Sequence, residues 1–177
     1  MTLRVATAAD LPALRELIPD SVRALGRGHY TPEQIESAIR HVFGVDTQLV
    51  ADGTYFVALV GDAIAGCGGW SRRRTLFGGD QMKSGPDPLL DPAREPARIR
   101  AFFVRPEHAR RGVGSRLMEA CIRAARADGF RALALAATLP GEPLYRAFGF
   151  EPSERIDTRL PDGVTVPFIL MSRSIEP

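Results

Sequence analysis

Two stretches of this chain hold residues whose types and spacing could do chemistry. The first is Arg110-Arg111-Gly112-Val113-Gly114-Ser115. Its two glycines let the backbone come close to a ligand. It opens a pattern, Val113 to Ala127, with Val113, Leu117, Met118, Cys121, Ile122 and Ala125 on one face and Arg116, Glu119, Arg123 and Arg126 on the other. That pattern predicts a helix ended by Asp128-Gly129. The first N–H groups of a helix lack partners inside it, so this start is an anion site. The second stretch is a short helical run that carries Tyr145 ahead of Gly149-Phe150.

Two strands must position these groups. Ile99 to Val104 is rich in Phe, Ile and Val and stops at Pro106, which cannot donate to a ladder. Arg131 to Ala137 follows the helix. Strand, glycine turn and helix also describe a dinucleotide fold, but Leu117 stands where the third glycine of GxGxxG would be, and the second strand ends without an acidic residue for a ribose.

What these residues resemble is the GNAT N-acetyltransferase superfamily. Its signature is Gln or Arg, two residues, Gly, one residue, Gly or Ala after an extended strand, with a Tyr four residues before a Gly-Phe pair. Here these are Gly112, Gly114, Tyr145 and Gly149-Phe150. The first signature position is Ala109, with Arg110 and Arg111 directly after it. Many members place an Asn ahead of the tyrosine, where this chain has Thr138-Leu139-Pro140-Gly141 and contains no Asn at all. The resemblance implies acetyl-CoA as cosubstrate, without metal. It further implies that backbone groups of Phe103 and Val104 pair with the pantetheine arm, that Arg110, Arg111, Gly112, Val113, Gly114 and Ser115 hold the pyrophosphate, and that Tyr145 is the general acid toward the sulfur. A Tyr hydroxyl titrates near 10 and a thiol near 8.5, so at neutral pH the Tyr is a protonated donor to a departing thiolate.

The same resemblance implies N-acetyl transfer to a small-molecule amine. Members often take the amine's proton with a carboxylate on the first strand, which here offers Arg98 and Arg100. Glu95, Asp80, His29 or a water chain are the substitutes. The alternative function is a non-catalytic acyl-CoA-binding or regulatory domain that keeps the glycine loop and lacks a base.

Upstream, Leu3 to Val5 reads as a short strand. A helix then begins at Thr7-Ala8-Ala9-Asp10 and runs to about Arg23, and a second is capped by Thr31-Pro32-Glu33-Gln34. Between them lies Gly26-Arg27-Gly28-His29-Tyr30. In the resembling family this region commonly lines the acceptor pocket. Tyr55 to Val60 and Ala63 to Ser71 form a hairpin turned at Gly61-Asp62. Gly66, Gly68 and Gly69 in its second strand mark either a groove beside Trp70 or close packing against a helix. Arg72 to Pro96 is too long and irregular for an ordinary connection. Together His29, Tyr30, Trp70 and that segment are the expected acceptor site. Arg155 to Arg159 and Val164 to Ser172 close the sheet around a Pro161-Asp162-Gly163 turn.

The order of elements predicts an α/β fold over 1–177, one domain with a mixed, mostly antiparallel twisted sheet flanked by helices. The chain has 177 residues, 45% hydrophobic and 25% charged, with net charge +2, and its basic runs are too short for a nucleic-acid face. No stretch approaches the roughly 20 apolar residues of a membrane span. Two cysteines, Cys67 and Cys121, suit small core residues rather than a disulfide framework. A cytoplasmic monomer or homodimer is expected.

Overall fold

The Gly61-Asp62 turn does what its sequence requires: it folds β2 (Tyr55–Val60) back on β3 (Ala63–Ser71), with Gly61 at a φ of 61°. The computed structural model describes residues 1–176. The sheet around this hairpin adds β1 (Thr2–Val5), β4 (Ala97–Val104), β5 (Ala132–Ala137), β6 (Glu151–Arg159) and β7 (Thr165–Ser174) in the order β1-β2-β3-β4-β5-β7-β6. Every neighbouring pair is antiparallel except β4 and β5. These two meet only at Ala97↔Leu133 and Arg98↔Ala134, and beyond that they part.

Helices α1 (Leu11–Gly26), α2 (Pro32–His41), α3 (Thr47–Ala51), α4 (Val113–Ala127) and α5 (Glu142–Ala147) cover the sheet. Leu14, Leu17 and Ile18 of α1 pack on Val57, Cys67 and Phe103, whereas Met118, Cys121 and Ala125 of α4 pack on Ile99, Leu133 and Leu135. The capping box at Thr31 and Gln34 opens α2, whose Ile35, Ala38 and the following Val42 meet Val166 and Phe168 of β7. The short helix α3 was not expected from the sequence. Asp46 caps it by accepting from Leu49 N at 3.2 Å.

One residue resets the facing of β4. Gly68 stands opposite both Ala101 and Phe102, because Cys67 pairs with Phe103 and Gly69 with Arg100. Such a bulge reverses which side chains point to which face. Ile99 therefore packs toward α4, while Ala101 and Phe103 pack toward α1 and Phe102 and Val104 turn to the α4 side. Ala101 carries the extra residue at a φ of 55°, and the buried Tyr55 hydroxyl donates to its carbonyl at 3.1 Å.

The glycines of β3 serve close packing, not a groove. A Cβ at Gly66 would stand 2.7 Å from Val113 Cγ1 and 3.0 Å from Phe103 O, so the bare strand is what lets the start of α4 settle on the sheet. Gly66→Ala should cost about 1–3 kcal/mol, the usual range for overpacking. Urea unfolding monitored by circular dichroism measures it, and an unchanged midpoint would show that α4 can shift without loss.

Candidate active site

The loop before α4 turns on two left-handed residues, Arg110 at φ 61° and Gly112 at φ 82°. The first helical hydrogen bond is Arg116 N–H to Gly112 O at 3.1 Å, which leaves the N–H groups of Val113, Gly114 and Ser115 without helical partners. They open on a cavity of about 600 Å³. Its walls come from α1, the end of β4, the α4 loop and α5, and include Arg110, Gly112, Gly114 and Ser115. Arg111 is exposed and does not line it. Phe103 and Val104 both do. Val104 differs from expectation in one respect: its N–H already donates to the buried Ser21 Oγ of α1 at 3.2 Å.

A second cavity of about 60 Å³ lies along β4 from Ile99 to Phe103. Phe43, Phe77 and Phe168 enclose it, with ring centroids 6.1 Å apart for Phe43 and Phe168 and 5.0 Å for Phe77 and Phe168. The two cavities share the residues Phe43, Phe102, Phe103, Thr138 and Tyr145. They meet where β4 and β5 have parted.

Tyr145 is buried at this common wall. Its ring lies edge-on to Phe102 at 6.3 Å and to Phe150 at 6.0 Å, which fixes its direction. Gly141 gives it room, since a Cβ there would stand 2.9 Å from Thr138 Oγ1 and 3.2 Å from Tyr145 Cε2. Burial raises the Tyr145 hydroxyl above its usual range, keeping it protonated at neutral pH.

His29 is exposed and lines the larger cavity. Tyr30 is buried beside it, and its hydroxyl donates to Pro167 O at 2.8 Å and accepts from Leu139 N at 3.0 Å. Burial pushes that hydroxyl up to about 12, so Tyr30 is a fixed tie between the α1–α2 turn, β7 and the turn before α5. Trp70 corrects the sequence reading. It is 3% exposed, packs edge-on to Phe130 at 6.0 Å and lines neither cavity, because its place opposite Ile99 turns it toward α4.

The segment between β3 and β4 is closed on itself by Arg74 N–H to Pro88 O at 3.1 Å and Leu90 N–H to Arg72 O at 2.8 Å. Residues 76–79 form one wall of the smaller cavity, fastened by Gly79 N–H to Val42 O at 2.7 Å. Its carboxylates point elsewhere. Asp80 accepts from Thr47 N at 3.0 Å and Glu95 from Asp91 N at 2.8 Å, and neither lines a cavity.

Asp46 is a residue that sequence reasoning missed. It is wholly buried, with Arg100 Nη2 at 2.7 Å from Oδ2 and Lys83 Nζ against Oδ1. Arg100 Nη2 also donates to Gly78 O, so one guanidinium joins β4, α3 and the cavity wall. Only the Asp-Thr pair, a capping signal, marked this position. Among the described residues no cluster of three His, Cys, Asp or Glu could hold a metal, and no helix is long and apolar enough to cross a membrane.

The model of the acetyltransferase (GNAT) family matches residues 14–150. Comparison with curated proteins returned no match. Among solved structures, a GCN5-related N-acetyltransferase of Rhodopseudomonas palustris superposes with a TM-score of 0.70 at 19% identity, covering 98% of this chain and 95% of its own. The PaiA N-acetyltransferase of Thermoplasma acidophilum, solved with coenzyme A, gives 0.66 at 15% identity, over 98% of each chain. YncA of Salmonella typhimurium, solved with its cofactor acetyl-CoA, gives 0.65 at 18% identity, covering 100% of this chain and 95% of its own. At these identities the likeness is one of fold.

Asp46→Asn keeps the shape of the buried cluster and removes its only contacting carboxylate, leaving Arg100 without a counter-ion. Stability should fall by about 3–5 kcal/mol, the cost of breaking a buried pair from one side. Chemical denaturation reads this directly, and a loss no larger than that of a surface substitution would mean that water reaches Arg100.

Proposed function

The chain belongs to the acetyltransferase (GNAT) family, and from that premise we propose that it is an acetyl-CoA-dependent N-acetyltransferase acting on a small amine. The observation that carries this reading is the position of Tyr145 on the wall common to two cavities, one of them floored by the unpaired N–H groups of α4. Those donors suit a pyrophosphate, and the larger cavity, at about 600 Å³, suits a pantetheine arm leading from it to the parting of β4 and β5.

Acetyl-CoA supplies a thioester whose carbonyl carbon the amine attacks, forming the C–N bond as the C–S bond breaks. The protein's part is to hold both ends and move protons. Gly112, Val113, Gly114 and Ser115 anchor the phosphates, with Arg110 beside them. Phe102 and Phe103 keep water from the reacting atoms. Tyr145, held neutral by burial, gives its proton to the departing sulfur and is restored by the proton that the nitrogen sheds as the amide forms.

The amine must arrive without its proton. No Asp or Glu lines either cavity, so an ammonium entering them finds no carboxylate to stabilise it. Arg100, the one charged residue along the smaller cavity, disfavours a second cation further. His29, at the larger cavity, is the one sequence-nominated base that lines either space and the route by which the proton passes to water. A domain that binds acyl-CoA without turnover would also lack a cavity carboxylate, and Tyr145 separates the two readings.

Tyr145→Phe keeps the ring and deletes only the hydroxyl, so kcat for thiol release from acetyl-CoA in the presence of an acceptor should fall by about 10- to 1000-fold while acetyl-CoA affinity is kept. An unchanged kcat would return Tyr145 to a packing role. Gly114→Val fills the space between the helix start and Leu144, where a Cβ already comes to 3.0 Å. It should weaken CoA binding by at least about tenfold in calorimetry, the worth of one charged hydrogen bond; full affinity in a folded variant would move the phosphate site away from α4.

A further inference from the structure

The smaller cavity is short of charge of one sign. Its walls are Phe43, Phe77, Phe168 and their neighbours, its single charged member is Arg100, and neither it nor the larger cavity is lined by an Asp or a Glu. An amine that carries further positive charge, such as a polyamine or an aminoglycoside, would bury cations here without a partner.

Arg100 is equipped to do the opposite. Its side chain is only 2% exposed, and of its nitrogens Nη2 is taken by Gly78 O and by Asp46. Nε and Nη1 donate to no described residue, although a buried guanidinium presents five N–H groups in a fork that matches a carboxylate. Asp46 does not neutralise the site alone, since Lys83 takes its other oxygen. Two cations thus share one carboxylate. Asp80 and Asp87 stand in the next layer, each with an oxygen turned to a backbone N–H, of Thr47 and Thr75 respectively.

We propose that the acceptor is a small amino carboxylate, an amine bearing its own carboxylate close to the nitrogen, and that Arg100 is the specificity-determining residue that receives the carboxylate. The size of the cavity, about 60 Å³, agrees. A cavity of roughly 150 Å³ is needed for a benzene ring, so this one admits the amine and carboxylate end with a short apolar stem against the phenylalanines, and the rest of the molecule lies toward its mouth. This inference rests on the N-acetyltransferase reading above and names its substrate class.

The test uses matched pairs on the wild-type protein with acetyl-CoA: alanine and alaninamide, leucine and leucinamide, with spermidine and an aminoglycoside alongside, read as thiol release. The acids should exceed their amides in kcat/KM by about tenfold or more, the worth of a charged hydrogen bond, and the polycations should be turned over least. Arg100→Lys keeps a charge for Asp46 and removes the fork. It should raise KM for the acid about tenfold, erase the preference over the amide and leave KM for acetyl-CoA unchanged. Calorimetry of leucine against the CoA-saturated protein should show the same loss without turnover. Should the variant fail to fold, the wild-type pairs decide alone. Amides or spermidine turned over as well as the acids would overturn this inference and leave the acetyltransferase standing. No turnover of any amine on the panel would overturn both.

Discussion

Everything in the site depends on β4 and β5 being joined at only two positions, Ala97↔Leu133 and Arg98↔Ala134. Parallel strands that stayed paired would fill the space in which Tyr145, Phe102 and Thr138 now face two cavities. The parting is reinforced by the bulge at Ala101, which shifts β4 by one residue against β3. A non-glycine residue at φ 55° costs about 1–2 kcal/mol. The Tyr55 hydroxyl, buried and 3.1 Å from the Ala101 carbonyl, offsets part of that cost. Because the bulge reverses facing, Arg100, Ala101 and Phe103 can all border the smaller cavity, which plain alternation would forbid.

Burial then decides the protonation states. Tyr145 is kept as an acid because its anion would be stranded in an apolar wall. The same wall disfavours an ammonium, so in the proposed reaction a neutral amine is obtained without a carboxylate, by exclusion of the charged form. Arg100 is the exception that remains charged, and it does so with Asp46 and Lys83 around it. A guanidinium is charged at any ordinary pH, so burial there costs solvation without changing its state.

Where the sequence carried local signals, the fold was legible. The hairpin of β2 and β3, the capping box of α2 and the span of α4 follow from turn chemistry, caps and periodicity within a dozen residues. The glycine loop and Tyr145 were singled out by the family resemblance, and the structure brings them to one cavity. What failed was long-range. Trp70 looked like a pocket residue because glycines surround it, yet those glycines admit Val113 and Tyr55 from other elements. Asp80 and Glu95 stood among the substitutes for the missing base, but both are turned to backbone N–H groups away from the cavities. Ser21 had no signal that distinguished it from an ordinary helix residue, and Asp46 had only that of a helix cap. Their roles exist only once α1 and α3 are laid against β4.

The two halves of the proposed chemistry are hung on the two strands that part. The proposed anion site belongs to α4, which follows β4 and is seated by the contact of Val113 with bare Gly66. The proposed acid, Tyr145, belongs to α5, which follows β5 and is seated by Gly141 against Thr138. The distance between the proposed phosphate anchor and proton donor therefore follows how far β4 and β5 diverge. Loops vary by ångströms at little cost, whereas strands held by β3 on one side and β7 on the other do not. That leaves residues 76–79, on the far side of the parting, as the element free to differ without disturbing either anchor. They are joined to the rest by Arg100 and by Gly79 N–H to Val42 O. A fixed transfer machinery with one separately attached wall can change its acceptor while keeping its reaction.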